Sequence, residues 1–156
     1  MLNISISEFK KNHQNKKNQI LFHTIKSNGT KETENLINNF LIEKNSFIFE
    51  SVEKGKVKGR YTILGRNPDC VWEFEGKKCK QIFNNKIKYL KDSPKKIIDE
   101  IIENFKFKIP KELPNICSII SGYFSYDIIR YIEKIPNKCI DDLNIPDVRL
   151  IRPKSL

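Results

Sequence analysis

The sequence is poor in the residues that build metal and nucleophile sites, with only four cysteines and two histidines among 156 residues. No two cysteines are close enough in sequence to form a CxxC pair, so a zinc site is not expected. Free thiols in a reducing compartment are the plain interpretation. The cysteines are Cys70, Cys79, Cys117 and Cys139.

The sequence also lacks the standard catalytic motifs. It contains no GxGxxG or Walker loop, no GxSxG nucleophile elbow and no HExxH zinc motif. The adjacent acids Asp141 and Asp142 lie among loop-forming residues, where solvated charge explains them better than acid–base chemistry. We therefore predict no catalytic residue and no metal ligand in this chain.

Long apolar runs are missing as well. No stretch approaches the length needed to cross a bilayer, and the first 17 residues have no apolar signal core. With 38% hydrophobic and 31% charged residues, the composition is that of one globular domain with its own core. We expect a cytoplasmic protein without a membrane partner.

Arginine is scarce although the net charge is +10, because lysine supplies 24 of the 29 basic residues. The arginine side chain binds phosphate in a bidentate geometry that lysine cannot form, so its scarcity argues against a nucleic-acid partner. The lysines are spread along the chain, and isoleucine (25) and asparagine (16) are abundant too. This pattern favours a general composition bias. A stand-alone basic RNA-binding module stays open as an alternative.

Helices are predicted at four places from capping residues and apolar spacing. The first spans residues 5–12, with Ser5 or Ser7 as its cap. The second follows an Asn28–Gly29 turn with Thr30 as its cap, and the third begins at Ser93–Pro94, a serine cap with proline in the first turn. The last follows Tyr126–Asp127, with its isoleucines facing the core.

Alternating or continuous apolar residues predict the strands. Residues 53–56 are predicted to be the turn that joins strands 46–52 and 57–66 into a β-hairpin. The segment 67–69, Asn-Pro-Asp, is predicted to be another turn, and His23 to be a half-buried packing residue on the strand 19–26. Trp72 is assigned to the core. Strands with interspersed helices and no βαβ rhythm predict an α+β fold with an antiparallel sheet. The predicted strands are 19–26, 46–52, 57–66, 70–75, 78–83, 115–125 and one that begins at Val148.

Glu50 and Ser51 are the feature that fits least well. They place a carboxylate and a hydroxyl at the end of a strand that is otherwise Phe, Ile and Val. On the residues alone, an ordinary polar strand end is the favoured interpretation. A second unusual stretch, SGYFSYDIIRYIE at 121–133, is best explained as a strand-to-helix corner with Asp127 at the start of the helix.

Three stretches together resemble the N-terminal half of anthranilate synthase component I, in order and spacing across residues 5–156. They are FIFESVEKGKVKGRYTILG at 47–65, GYFSYDIIRYIEKIP at 122–136 and LNIPDVRLIRP at 143–153. The family typically has Leu-Leu-Glu-Ser-Val-Glu in the first stretch and Gly-Tyr-Leu-Gly-Tyr-Asp in the second. Ser125 replaces the family's second glycine, which puts in doubt any need for a special backbone angle there.

The resemblance implies two antiparallel sheets packed face to face as a sandwich with helices outside, of which residues 1–156 form the N-terminal, tryptophan-sensing region. It also implies an enzyme that converts chorismate to anthranilate with Mg²⁺. The ammonia comes from a glutamine amidotransferase subunit, component II. The chorismate and metal ligands belong to the C-terminal half, which this chain does not contain, so we expect residues 1–156 to be inactive alone.

The same resemblance implies an allosteric ligand, L-tryptophan, which inhibits the enzyme as the end product of the pathway. Carried over by position, the tryptophan-binding residues are Ser51 and Glu50, with Tyr61 closing one wall of the pocket. Glu50 could pair with the ligand's ammonium group and Ser51 could hold its carboxylate. The nearest rival is the sister enzyme aminodeoxychorismate synthase component I of the folate pathway, which shares the fold and the substrate.

Overall fold

The computed structural model describes residues 2–26, 29–53, 57–105, 109–136, 138 and 140–156, with the backbone alone for 30, 52, 53 and 57–60. The described chain is α+β with a six-stranded antiparallel sheet, which confirms the predicted class. The helices are α1 (Ile6–Gln14), α2 (Thr30–Phe40) and α3 (Pro94–Asn104). The strands are β1 (Phe47–Glu53), β2 (Val57–Glu75), β3 (Lys78–Phe83), β4 (Lys86–Leu90), β5 (Ser121–Phe124) and β6 (Val148–Ser155).

The long strand β2 organises the sheet. Its first half pairs with β1 to form a two-stranded ribbon, and its second half lies between β3 and β6 in the order β4-β3-β2-β6-β5. The predicted turn at 67–69 is wrong, because β2 continues through it with a bulge beside Pro68. Two nitrogens of the Arg152 guanidinium, Nε and Nη2, donate to the two carboxylate oxygens of Asp69 there, at 2.8 and 3.0 Å.

Strand β4 was not predicted. A two-residue turn, Asn84–Asn85, leads into it, and both residues have positive φ (45° and 62°). Such a turn matches the right-handed twist of a hairpin, and asparagine tolerates this conformation better than most residues. The signal was present in the sequence as Asn-Asn followed by alternating lysine and apolar residues.

Two other predicted strands are wrong or too long. Residues 19–26 are irregular, because the side-chain amide of Asn3 donates to the carbonyl of Ile20 at 3.0 Å and accepts the N–H of Phe22 at 2.9 Å. His23, predicted to be half-buried, is exposed. In the segment 115–125 only β5 is a strand. The first part of the segment, Asn115–Cys117, is a 3-10 turn, in which the N–H of Cys117 donates to the carbonyl of Pro114.

The helix starts were predicted with mixed success. Ser5 caps α1 and Ser93 caps α3 through side-chain oxygens, as expected. Helix α2 instead begins at Thr30 with Gly29 in the cap position, and Asn28 lies outside the described residues. After Ser125 the chain forms a 3-10 helix, Tyr126–Tyr131, rather than an α-helix, and Ile132 is exposed rather than inward.

The core lies between α3 and one face of the sheet. Burial of these side chains is the main favourable contribution to the stability of this layer. Trp72 is among them, as predicted. The buried cluster consists of Cys70, Trp72, Phe74, Cys79, Ile97, Ile101, Val148 and Leu150. Among the described residues, no helix combines the length and apolar character needed to cross a bilayer.

Candidate functional site at the bulged ribbon

The β1–β2 ribbon brings the Glu-Ser and Gly-Arg-Tyr motifs opposite each other. Glu50 pairs with Thr62, and the next pair is Val52 with Lys58. One residue of β1, Ser51, therefore faces the three residues 59–61 of β2, which makes an irregularity of the bulge type. Bulges re-aim side chains and are enriched next to active sites. Sequence spacing could not reveal this one, because it depends on the register of the hairpin.

The ribbon has one aromatic face. Phe47 and Phe49 lie on it with ring centroids 5.0 Å apart, and Phe49 is 45% exposed. Alternation along β2 places Tyr61, 44% exposed, on the same face as Ile63, the partner of Phe49. An exposed aromatic surface beside a polar bulge suits a flat apolar group with polar ends.

Glu50 and Ser51 are both exposed, and no side-chain hydrogen bond or ion pair occupies them within the described part of the chain. Because side chains alternate along β1, Glu50 lies with Ile48 on the face opposite the aromatic one. Ser51, the next residue, lies at the bulge itself. The two predicted ligand contacts thus approach the site from different sides of β1.

The base of the ribbon is fixed where β2 enters the sheet. Gly65 lies against the ring of Phe47, which would overlap a Cβ atom at this position. The next residue, Arg66, places its guanidinium 4.4 Å from the ring centroid of Phe40 and 3.6 Å from the Glu43 carboxylate. Helix α2 therefore orients the ribbon relative to the sheet.

The second motif, 122–136, forms strand β5 and the 3-10 helix. A Cβ at Gly122 would overlap the carbonyl oxygen of Arg149 on β6, so the close approach of the two strands requires glycine. Ser125 has extended backbone angles (φ −72°, ψ 166°), which any residue adopts. The family's second glycine is therefore not needed for backbone conformation in this chain.

The third motif, 143–153, contributes Asp147, whose role the sequence did not reveal. Its Oδ2 accepts the backbone N–H of Gly76 and the hydroxyl of Tyr131, each at 2.8 Å. Burial, followed by this hydrogen bond and the charge of Asp147, raises the pKa of Tyr131 well above its ordinary value. The proline-aspartate pair just before β6 was the available signal.

A polar row connects β6 to the start of the ribbon. The Glu73 carboxylate contacts Lys80 at 2.5 Å and Arg149 at 2.9 Å, across both neighbouring strands. Arg149 also donates to Oδ1 of Asn45 at 2.6 Å, two residues before β1 begins. The three motifs are therefore joined through one sheet, although the second and third do not contact Ser51 in any described interaction.

The described residues offer no fit for a metal ion. No group of three or more His, Cys, Asp or Glu side chains among them is close enough to bind one. The magnesium ion implied by the resemblance would therefore need other ligands, and no chemical step in this chain is derived through it. Cys70 and Cys79 are buried, and burial raises the pKa of both thiols, that of Cys79 to about 11, so neither is a ready thiolate.

These features define an α+β antiparallel-sheet segment with an exposed polar and aromatic site on a bulged ribbon. No protein-family profile matches the chain. The chain is similar to part of anthranilate synthase component I: it is 31% identical over 115 residues to the protein of that name from Cereibacter sphaeroides and 36% identical over 102 residues to that from Acetivibrio thermocellus. It is also 36% identical over 121 residues to the chloroplastic anthranilate synthase alpha subunit 1 of Oryza sativa subsp. indica.

These alignments cover 69%, 65% and 69% of this chain but only 23%, 21% and 21% of the three relatives. The chain thus spans about a fifth of the length of the relatives it matches. The resemblance inferred from the three motifs is confirmed, and the similarity is consistent with an N-terminal segment of component I.

Proposed function

We propose that this chain is the N-terminal regulatory segment of an anthranilate synthase component I and senses L-tryptophan. In this proposal the whole protein makes anthranilate from chorismate, with ammonia supplied by a component II glutamine amidotransferase. The similarity to component I proteins of bacteria and a plant supports this assignment over aminodeoxychorismate synthase. Location in the cytoplasm is part of the proposal.

The ligand site is proposed at the bulge of the ribbon, and the register of β1 against β2 is the observation that carries it. The Ser51 hydroxyl or its amide holds the tryptophan carboxylate, and Glu50, which lies on the opposite face of β1, reaches the ammonium group around the edge of that strand. Tyr61 and the aromatic face contact the indole. Ionised hydrogen-bond partners are about twice as strong as neutral ones, which suits recognition of a zwitterion.

The exposure of the ribbon bears on affinity. A small-molecule pocket buries most of its ligand, whereas Phe49 and Tyr61 are still almost half exposed. The proposal therefore requires a second wall from a part of component I that the alignments do not cover. We expect the 156-residue chain to bind tryptophan weakly or not at all, and to have no synthase activity by itself.

Inhibition follows from linkage between two sites. Tryptophan inhibits only if it binds the inactive arrangement more tightly than the active one, by about 1–3 kcal/mol for a typical allosteric coupling. The ribbon is suited to transmit this difference in binding free energy to the rest of the fold. Arg66 connects its base to α2, and Asn45 connects it to β6.

A chimera tests the function. Residues 1–156 replace the matching segment of the Acetivibrio thermocellus protein, and the chimera is assayed with ammonia and, separately, with a component II partner and glutamine. We expect fluorescent anthranilate as the product, and inhibition by L-tryptophan. Because the rest of the chimera comes from the Acetivibrio thermocellus protein, anthranilate formation shows only that residues 1–156 complete its fold. A folded chimera that makes anthranilate but ignores tryptophan would contradict the assignment.

A further inference from the structure

Lysines occur along the whole chain, but the net positive charge is concentrated in one part of the fold. The twenty residues 77–96 contain eight lysines and a single acid, Asp92, and so carry seven of the ten net positive charges. They form β3, β4 and the start of α3. A uniform composition bias does not explain this concentration, which the proposed tryptophan site does not use.

Strand β4 is an edge strand of the sheet that the described residues form. It pairs with β3 on one side, and no other described strand pairs with it on the other. All its residues except Leu90 are exposed. Ile87 and Tyr89 are 61% and 70% exposed, more than the exposed sheet residues Phe49 (45%), Phe83 (44%) and Phe124 (54%).

The hairpin geometry says which backbone groups are available. Phe83 and Lys86 flank the two-residue turn and form the pair that closes it, and hydrogen-bonded and non-bonded pairs alternate from there. The N–H and C=O groups of Ile87 and Tyr89 therefore point away from β3. A new strand would find two donors and two acceptors at this edge.

The side chains of β4 divide by charge. Lys86 and Lys88 lie on the face shared with the core residues Cys79 and Leu90, and Ile87 and Tyr89 lie on the opposite face. Neither lysine contacts a carboxylate among the described residues. An incoming strand would thus meet cations on one face and apolar groups on the other.

We propose that the outer edge of β4 binds an extended segment of a partner protein in which acidic and apolar residues alternate, by addition as a further strand. Main-chain hydrogen bonds to Ile87 and Tyr89 supply affinity, and cross-strand carboxylates opposite Lys86 and Lys88 supply specificity. A second copy of this chain is the poorer fit, since antiparallel pairing of two β4 strands would bring lysines together.

A peptide of alternating glutamate and valine, with solubilising ends, tests the proposal on the 156-residue chain by titration calorimetry and backbone NMR. We expect binding with shifts and exchange protection centred on the amides of Ile87 and Tyr89. The matched peptides are a scramble of the same composition and an alternating lysine–valine peptide, neither of which should bind detectably.

Two variants localise the contact. Lys86→Glu combined with Lys88→Glu should weaken binding by about tenfold or more, whereas the same change at the exposed Lys10 and Lys11 of α1 should have little effect. Ile87→Pro removes an outward N–H without touching the pairs to β3, and should weaken binding while Trp72 fluorescence reports an intact core.

The results that overturn the proposal are specific. Equal binding of the scrambled peptide would show that charge attraction alone, and not strand addition, holds the peptide. Tighter, steeply salt-dependent binding of a polyuridine oligonucleotide would assign the lysines to nucleic acid instead. Concentration-dependent dimerisation that Ile87→Pro abolishes would make a second copy the occupant, and no binding of any probe would also refute the proposal.

Discussion

The hydroxyl group of Tyr131 donates a hydrogen bond of 2.8 Å to the carboxylate of Asp147, which also accepts the N–H of Gly76. One side chain thereby connects the 3-10 helix, the β2–β3 turn and the entry of β6. The backbone of Asp147 extends the junction, because its N–H donates to Phe74 and its carbonyl accepts from Ser125. This junction holds the second and third motifs in place.

Tyr131→Phe should lower the free energy of unfolding by about 1–2 kcal/mol, because a partly buried hydrogen bond to a charged group is lost. Urea denaturation followed by Trp72 fluorescence measures it. Tyr126, which is 91% exposed, is the matched control, and Tyr126→Phe should leave the free energy of unfolding unchanged. Equal effects of the two variants would contradict the role of the hydroxyl.

The same pair predicts a pH dependence at alkaline pH. The pKa of Tyr131 is raised in the folded chain, so its contribution is fully present below the ordinary tyrosine pKa of about 10 and is lost as pH rises toward the folded value. The stability difference between the wild type and Tyr131→Phe should therefore shrink above about pH 10. A stability difference between the two proteins that stays constant or grows with rising pH would refute this pH dependence.

Gly122→Ala should destabilise the chain by about 1–3 kcal/mol, since the new Cβ overlaps the Arg149 carbonyl and the β5–β6 pair must separate. Gly29→Ala is the control for an added Cβ without a clash, because a Cβ there meets nothing within 4 Å; since Gly29 caps α2, we expect a loss of at most about 1 kcal/mol. Thermal unfolding of both variants measures the effect. A neutral Gly122→Ala would show that β5 does not pack as closely as described.

Glu73→Gln should cost about 1–2 kcal/mol, because a carboxylate whose side chain is only 12% exposed serves both Lys80 and Arg149. Glu100→Gln, whose carboxylate is 53% exposed and 3.9 Å from Lys96, should fall within about 0.5 kcal/mol of the wild type. Chemical denaturation at low and high salt compares the two. Comparable losses would contradict the special position of Glu73.

Features set by neighbouring residues could be predicted from the sequence. Ser93 and Pro94 start α3 through local capping geometry, and the alternation in 70–75 and 78–83 predicted β3 and the second half of β2. Features that depend on distant partners could not. The bulge at Asp69 is held by Arg152, 83 residues away, and residues 20–22 are kept out of the sheet by Asn3.

The candidate site shows the same division. The motif containing Glu50 and Ser51 and the motif ending at Tyr61 were both identified from the sequence, and their hairpin was predicted. Their juxtaposition at a bulge was not, because it follows from the pairing of Val52 with Lys58. The turn predicted at 53–56 falls mostly on residues 54–56, which lie outside the described residues.

The most direct test of the central claim is the tryptophan inhibition of the anthranilate-forming chimera carrying Ser51→Arg, compared with the same chimera carrying Ser7→Arg on the exposed first turn of α1. We expect Ser51→Arg to leave turnover intact and to abolish inhibition, and Ser7→Arg to keep both. Undiminished inhibition of the Ser51→Arg chimera would contradict it.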